Sequence, residues 1–220
     1  MIRNCSLDEI SDGRLYSEND MVKADTHNCE NCHAVCCHGM GESIILDPFD
    51  VYRLTHVLEK SFEELLTDKL ELHMVDGLIQ PNLKMTDEHC VFLDENQRCT
   101  IHQARPGFCR LFPLGRYWES ATDFKYILQT GQCHKDNLSK IKVRKWLDTP
   151  DLAQYNRFIV QWHEFKSKLY EAERLLDEKQ LRVLTMYVLR TFFVTPYDER
   201  DFYIQFDERQ KKAEKDLAMD

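Results

Sequence analysis

Apolar side chains at three- and four-residue spacing dominate the second half of the chain. Leu152, Tyr155, Ile159, Trp162, Phe165, Leu169, Ala172 and Leu176 trace one stripe, which predicts a long amphipathic helix facing a core. Leu181 to Val194 is apolar on most sides, the pattern of a helix buried between others, and Thr195-Pro196 should end it. A polar helix is expected from about Phe206 to Leu217, where Lys211, Lys212 and Lys215 interleave with acids as a solvated face.

The first half alternates shorter signals. Ser43-Ile44-Ile45-Leu46 reads as a short strand, and Asp47-Pro48 as a helix start in which Asp caps free amides and Pro takes the first turn. That helix should run to about Lys60, with Val51, Leu54 and Leu58 on its inner face. Ser61-Phe62-Glu63-Glu64 has the form of a capping box and predicts a second helix to about His73. Residues 78–85 and 90–93 read as extended, and Asp94 to Arg98 as a polar turn leading into Cys99-Thr100-Ile101-His102. Arg116-Tyr117-Trp118 and Phe124 to Leu128 predict a second, aromatic hairpin. Residues 1–26 are polar and charged and read as a loosely ordered lead-in.

Composition narrows the function classes. The 220 residues carry a net charge of −9, which argues against a broad phosphate-binding surface and hence against nucleic acid as a partner. Arg3, Asp8, Glu9, Asp12 and Arg14 stand where a signal peptide needs an apolar run. The most apolar stretch, Val183 to Val194, is too short to span a bilayer and is broken by Arg190. A cytoplasmic protein without a membrane partner is expected.

Eight of nine cysteines fall between positions 29 and 133. Four are packed into Cys29-Glu30-Asn31-Cys32-His33-Ala34-Val35-Cys36-Cys37, and Cys90, Cys99, Cys109 and Cys133 follow. So short a segment cannot build a core around four thiols. Thiolates favour zinc, cuprous copper and iron–sulfur clusters, and in a reducing compartment clustered cysteines read as ligands before disulfides. Cys5 stands apart and is left out.

The spacing excludes two chemistries. Cys32-x3-Cys36 is followed by Gly39 where a radical S-adenosylmethionine enzyme needs a third cysteine, and Cys29-x2-Cys32 lacks the βαβ setting of a redox dithiol. One structural zinc would take four ligands, with Cys99 and His102 as the only second knuckle beside Cys29 and Cys32. A 4Fe-4S cube takes one thiolate at each of four irons. Eight cysteines could serve one cube with spares or two centres, and adjacent Cys36 and Cys37 must point different ways. His102 is the best histidine candidate. Arg105 and Arg110 could offset the negative charge of a thiolate-bound cluster, and Phe108, Phe112 and Pro113 could keep water from the sulfurs.

The opening Cys-x2-Cys-x3-Cys-Cys together with Arg105-Pro106-Gly107-Phe108-Cys109-Arg110-Leu111-Phe112-Pro113 closely resembles the YkgJ-like cysteine-cluster family of zinc- or iron-chelating domains, also found in flagellin lysine methylases. The resemblance covers about residues 27 to 134. It implies that Cys29, Cys32, Cys36, Cys37, Cys90, Cys99, Cys109 and Cys133 are the ligand set. It departs from the family at His102, where relatives often have Tyr, and at His134-Lys135 after Cys133.

These readings combine into an α+β, mainly helical protein. An irregular metal-bearing core with short hairpins (27–147) would follow the lead-in (1–26) and precede a helical extension (148–220). The expected cofactor is a 4Fe-4S cluster, one or two, in an electron-transfer or redox-sensing protein with an unidentified redox or protein partner. Zinc in an interaction module, and a cluster-supported methylase-like enzyme, are the alternatives.

Overall fold

The computed structural model describes residues 6–26, 34–133 and 138–219. Helix α1 (Leu7–Ile10) leads to strand β1 (Met21–Asp25). After a 3₁₀ turn at Val35–Cys37 come α2 (Pro48–Leu58), α3 (Phe62–Asp68), β2 (Leu70–Val75), β3 (Leu78–Leu83), β4 (Met85–Thr86) and β5 (His89–Cys90). Next are α4 (Gly107–Leu111), β6 (Leu114–Trp118), β7 (Phe124–Leu128), β8 (Ser139–Lys142) and α5 (Val143–Leu147). The chain closes with α6 (Leu152–Glu173), α7 (Glu178–Leu189), a π turn at Arg190–Val194, and α8 (Phe202–Asp216). The protein is α+β and mainly helical, with short antiparallel strand pairs. Among the described residues no helix is long and apolar enough to cross a membrane.

Local chemistry explains most boundaries. Asp47 Oδ1 accepts from Asp50 N at 2.8 Å, and Asp50 Oδ2 accepts from Asp47 N at 3.2 Å, closing a capping box at α2. Ser61 and Glu64 do the same at α3. That helix ends at Asp68, however, and the residues expected to continue it form β2. The cause is a two-residue turn at Asp76-Gly77, both in the left-handed region (φ 47° and 75°), which joins β2 to β3 with Val75 opposite Leu78. Ile45 bridges to Asn82 on the other edge of β3, and Leu46 N donates to the Pro81 carbonyl at 2.8 Å.

Residues 6–26 are bound into the fold, in place of the loosely ordered lead-in expected there. Val22 pairs with Ile141 in an antiparallel β1–β8 ladder, and Tyr16 bridges to Tyr126 in β7. Tyr16, Val22 and Ala24 share a small core with Leu114, Val143 and Leu147.

The larger core joins the cysteine-bearing segments to the C-terminal helices. Cys37, Ile44, Leu54 and Cys90 belong to the same buried cluster as Phe158, Trp162, Phe192 and Phe206. The predicted stripe of α6 is its spine. Phe158 meets Phe206 edge-on with ring centres 4.7 Å apart, and Trp162 lies 5.1 Å from Phe192. The helical part thus forms one wall of the core on which the thiols stand.

Candidate metal centre

Three segments carry cysteines into one region. The first is the 3₁₀ turn, entered through Ala34 in the left-handed conformation (φ 51°) and closed by Cys37 N donating to the Ala34 carbonyl at 2.7 Å. Adjacent Cys36 and Cys37 keep their sulfurs 3.9 Å apart. Beyond the turn His38 bridges to His89, and Gly39 N donates to the Glu88 carbonyl at 2.8 Å. These bonds lay the turn alongside β5 and bring Cys37 next to Cys90, both buried.

The second segment folds back on itself. Leu93 bridges to Cys99, and Thr100 N donates to the Phe92 carbonyl at 2.8 Å. The turn between them is tied by Asp94 Oδ1, which accepts from Asn96 N at 2.9 Å and Arg98 N at 2.8 Å. The third segment is α4, which carries Cys109. Its first amide, Gly107 N, donates to buried Asp50 Oδ1 at 2.8 Å. Arg110 donates to the carbonyls of Asp148 at 2.7 Å and Gln103 at 2.9 Å. The arginine thereby stitches α4 to two loops.

The thiols sense one another. Burial raises Cys90, Cys99 and Cys109 above the ordinary thiol range, and the neighbouring sulfurs raise them further. The hydrogen bond with Cys36 and then burial raise Cys37, with Cys36, Cys99 and Cys90 adding to the effect. Cys36 goes the other way, to about 7, chiefly through its hydrogen bond with Cys37 and with help from Arg105. A set of buried thiols in mutual repulsion cannot ionise together without positive charge among them. A soft cation supplies that charge.

Among the described residues, no three of His, Cys, Asp and Glu are grouped so as to hold a metal ion. The predicted ligands Cys29 and Cys32 lie outside the described residues, as do Cys5, His27, His33 and His134. Cys36, Cys37, Cys90, Cys99 and Cys109 are brought within each other's electrostatic reach, and Cys133 stands half-buried past the end of β7. By the chemistry of its donors, though not by a closed geometry, the set fits a thiophilic metal.

Arg105 and Arg110 separate in their surroundings. Arg105 lowers both Cys36 and Cys99 and lies with Nη1 3.2 Å from His102 Nε2. The guanidinium donates to that nitrogen, which leaves only Nδ1 of His102 with a role open. Phe108 lies at the surface of α4, whereas Pro113 is buried. Asp50 was not legible as part of the site. The sequence marks Asp47 as the acid that caps α2, and neither the answering bond from Asp50 nor its reach to α4 has a local signal.

Residues 28–144, over half of the chain, match the family model CxxCxxCC, described as "Putative zinc- or iron-chelating domain". The match takes in all three thiol-bearing segments. No solved structure matches the chain.

Proposed function

The chain belongs to the CxxCxxCC family of zinc- or iron-chelating domains, and on that premise we propose that its cysteines hold a 4Fe-4S cluster serving electron transfer or redox sensing. The observation that supports the reading is the convergence of Cys36, Cys37, Cys90, Cys99 and Cys109 from three separate segments into one electrostatic neighbourhood. With Cys29, Cys32 and Cys133, the sequence offers more thiols than one tetrahedral zinc takes. A cluster, when bound, supplies a one-electron couple whose potential depends on charge, hydrogen bonds and solvent exposure.

The chain's own residues set those conditions. Burial of Cys37 and Cys90 against Ile44, Phe92 and Ile101 withholds water from the sulfurs. Arg105 contributes positive charge beside Cys36 and Cys99. Arg110 and Asp50 fix α4, and so the placement of Cys109, through backbone groups. A reducing compartment such as the cytoplasm suits Cys36, Cys37, Cys90, Cys99 and Cys109, which stand outside any disulfide. The working partner would be a redox protein.

Anaerobic purification followed by iron, sulfide and zinc analysis tests the proposal. Stoichiometric iron and sulfide with a brown colour bleached by dithionite are expected. A colourless protein with one equivalent of zinc would overturn the cluster and leave a zinc-stabilised module. Single Cys→Ser variants at the eight positions then separate ligands, which lose metal, from bystanders.

A further inference from the structure

Two imidazoles stand over the buried thiols. His38 and His89 face each other across an isolated antiparallel bridge, their ring centres 6.1 Å apart and their planes inclined by 51°. Each ring has one nitrogen committed. His38 Nε2 lies 2.9 Å from Gln97 Oε1, and His89 Nδ1 lies 2.9 Å from the Asp87 carbonyl. Both partners are acceptors, so both of these nitrogens carry the proton and donate. In the neutral rings the lone pairs therefore sit on Nδ1 of His38 and Nε2 of His89.

An N–H anchored to a carbonyl or amide oxygen, with the lone pair on the opposite nitrogen, is the usual orientation of a metal-binding histidine. Two imidazoles bonded to one ion at about 2 Å each hold their ring centres roughly 5 to 6 Å apart. The observed spacing needs little adjustment to meet that. The bridge also fixes the pair's backbone, since Gly39 N donates to the Glu88 carbonyl one residue away on each strand.

The same bridge has a second face. His89 precedes Cys90 in β5, where extended backbone sends successive side chains to opposite sides, and opposite it the 3₁₀ turn ends at Cys37 and the chain becomes extended at His38. Cys37 and Cys90 are accordingly buried, at 9% and 3% exposure, while His38 is exposed and His89 half-buried.

We propose that His38 and His89 form a surface site for a divalent first-row transition-metal ion, from which the ion passes inward to the cysteines. The site itself stands on the imidazole geometry alone; the inward transfer rests on the metal-binding reading of the thiols. Transfer exchanges two nitrogen ligands for thiolates on the same ion, each thiol releasing its proton to water. No electron moves.

The protein as purified, with its thiol centre filled, is titrated with Zn²⁺ by calorimetry and by NMR of the histidine ring protons. One saturable event is expected that shifts His38 and His89 signals and weakens at least tenfold in both His38→Ala and His89→Ala. Unchanged binding in both variants overturns the site. Metal-free protein is then mixed with Co²⁺, and the rise of thiolate-to-cobalt charge-transfer absorption is timed. The double variant should load several-fold more slowly to the same final absorbance, and an unchanged rate overturns the inward transfer. Absence of the thiolate band in unaltered protein would sink the cysteine reading and with it the transfer, while the Zn²⁺ titration still decides the imidazole site.

Discussion

Asp50 and Gly107 are joined across 57 positions of chain by a hydrogen bond of 2.8 Å from the Gly107 amide to Asp50 Oδ1. The amide is at the start of α4 and has no partner inside its helix. The acid is buried at 3% exposure, and burial, with Asp47 next, raises it well above the usual carboxylate range. Asp50→Ala should cost about 1 to 3 kcal/mol by leaving the amide unsatisfied, whereas Asp50→Asn keeps an acceptor and removes a buried charge. A folded-state pKa above the unfolded one means that stability declines as pH rises from the unfolded value toward the folded one. Urea denaturation at several pH values should therefore show a flatter pH profile for Asp50→Asn. An asparagine variant as unstable as the alanine one would show that the charge, not the acceptor, holds α4.

Gly107 is also placed by sterics. A Cβ there would lie 2.2 Å from the Tyr155 hydroxyl but 3.5 Å from Cζ, an ordinary contact. Tyr155 is buried with Phe49 and Phe158 around it and cannot swing away. Gly107→Ala should destabilise by about 1 to 3 kcal/mol as overpacking. In a Tyr155→Phe background the clash is gone, and what is left is the smaller freedom of alanine in the unfolded chain, a gain of about 0.4 to 1 kcal/mol. The sign of the effect should reverse or vanish in a double-mutant cycle followed by denaturation. Equal costs in the two backgrounds would mean that the hydroxyl is not the obstacle.

Trp118 and His163 stack with ring centres 3.5 Å apart and planes 9° from parallel, and His163 Nδ1 donates to the Ala121 carbonyl at 3.0 Å. Burial, with Lys166 nearby, lowers the His163 pKa below 6.5. The unfolded chain therefore binds the proton more readily, and the stack's contribution is full above the unfolded pKa and is lost as pH falls through the folded one. Trp118 fluorescence followed from about pH 8 to about pH 5 should report a transition with its midpoint on the acid side of an ordinary histidine. That transition should disappear in His163→Gln.

How far the fold could be read from sequence depended on whether its determinants are local. Asp47-Pro48 and Ser61 to Glu64 start helices because their bonds close within four residues, and the α6 stripe is legible because burial follows helical period. The Asp76-Gly77 turn is equally local. Leu65, Leu66 and Leu70 continue a helical spacing into β2, so the periodic signal hid the turn signal. Pairing of Val22 with Ile141, or of His38 with His89, depends on chain brought from far away, and no local pattern marks it. The site divides likewise. Cysteine spacing indicates that thiols will gather and shows His38 beside Cys37, while the acid that sets α4 and the pairing of His38 with His89 emerge only from the tertiary arrangement.

Cys36 should be the first thiol of the cluster to react once metal is removed. Its sulfur is 3.9 Å from that of Cys37, and the hydrogen bond between them gathers negative charge on Cys36, taking its pKa to about 7 while Cys37 is raised. Arg105 strengthens the shift, and Cys36 is less buried than Cys37 or Cys90. The thiolate is the nucleophile, so alkylation should follow its fraction. Raising the pH through about 7 should switch Cys36 labelling on, while Cys90, Cys99 and Cys109, raised by burial, require more alkaline solution. Brief iodoacetamide pulses on metal-free protein, read by peptide mass spectrometry, test that order among these five thiols. Cys37→Ser retains a hydroxyl donor and should keep Cys36 reactive, whereas Cys37→Ala should push its labelling to higher pH. If Cys36 labels at the same pH in both variants, the neighbouring donor is not what activates it, and Arg105, with smaller help from the backbone and His38, is left as the source of the shift, to be removed next as Arg105→Gln.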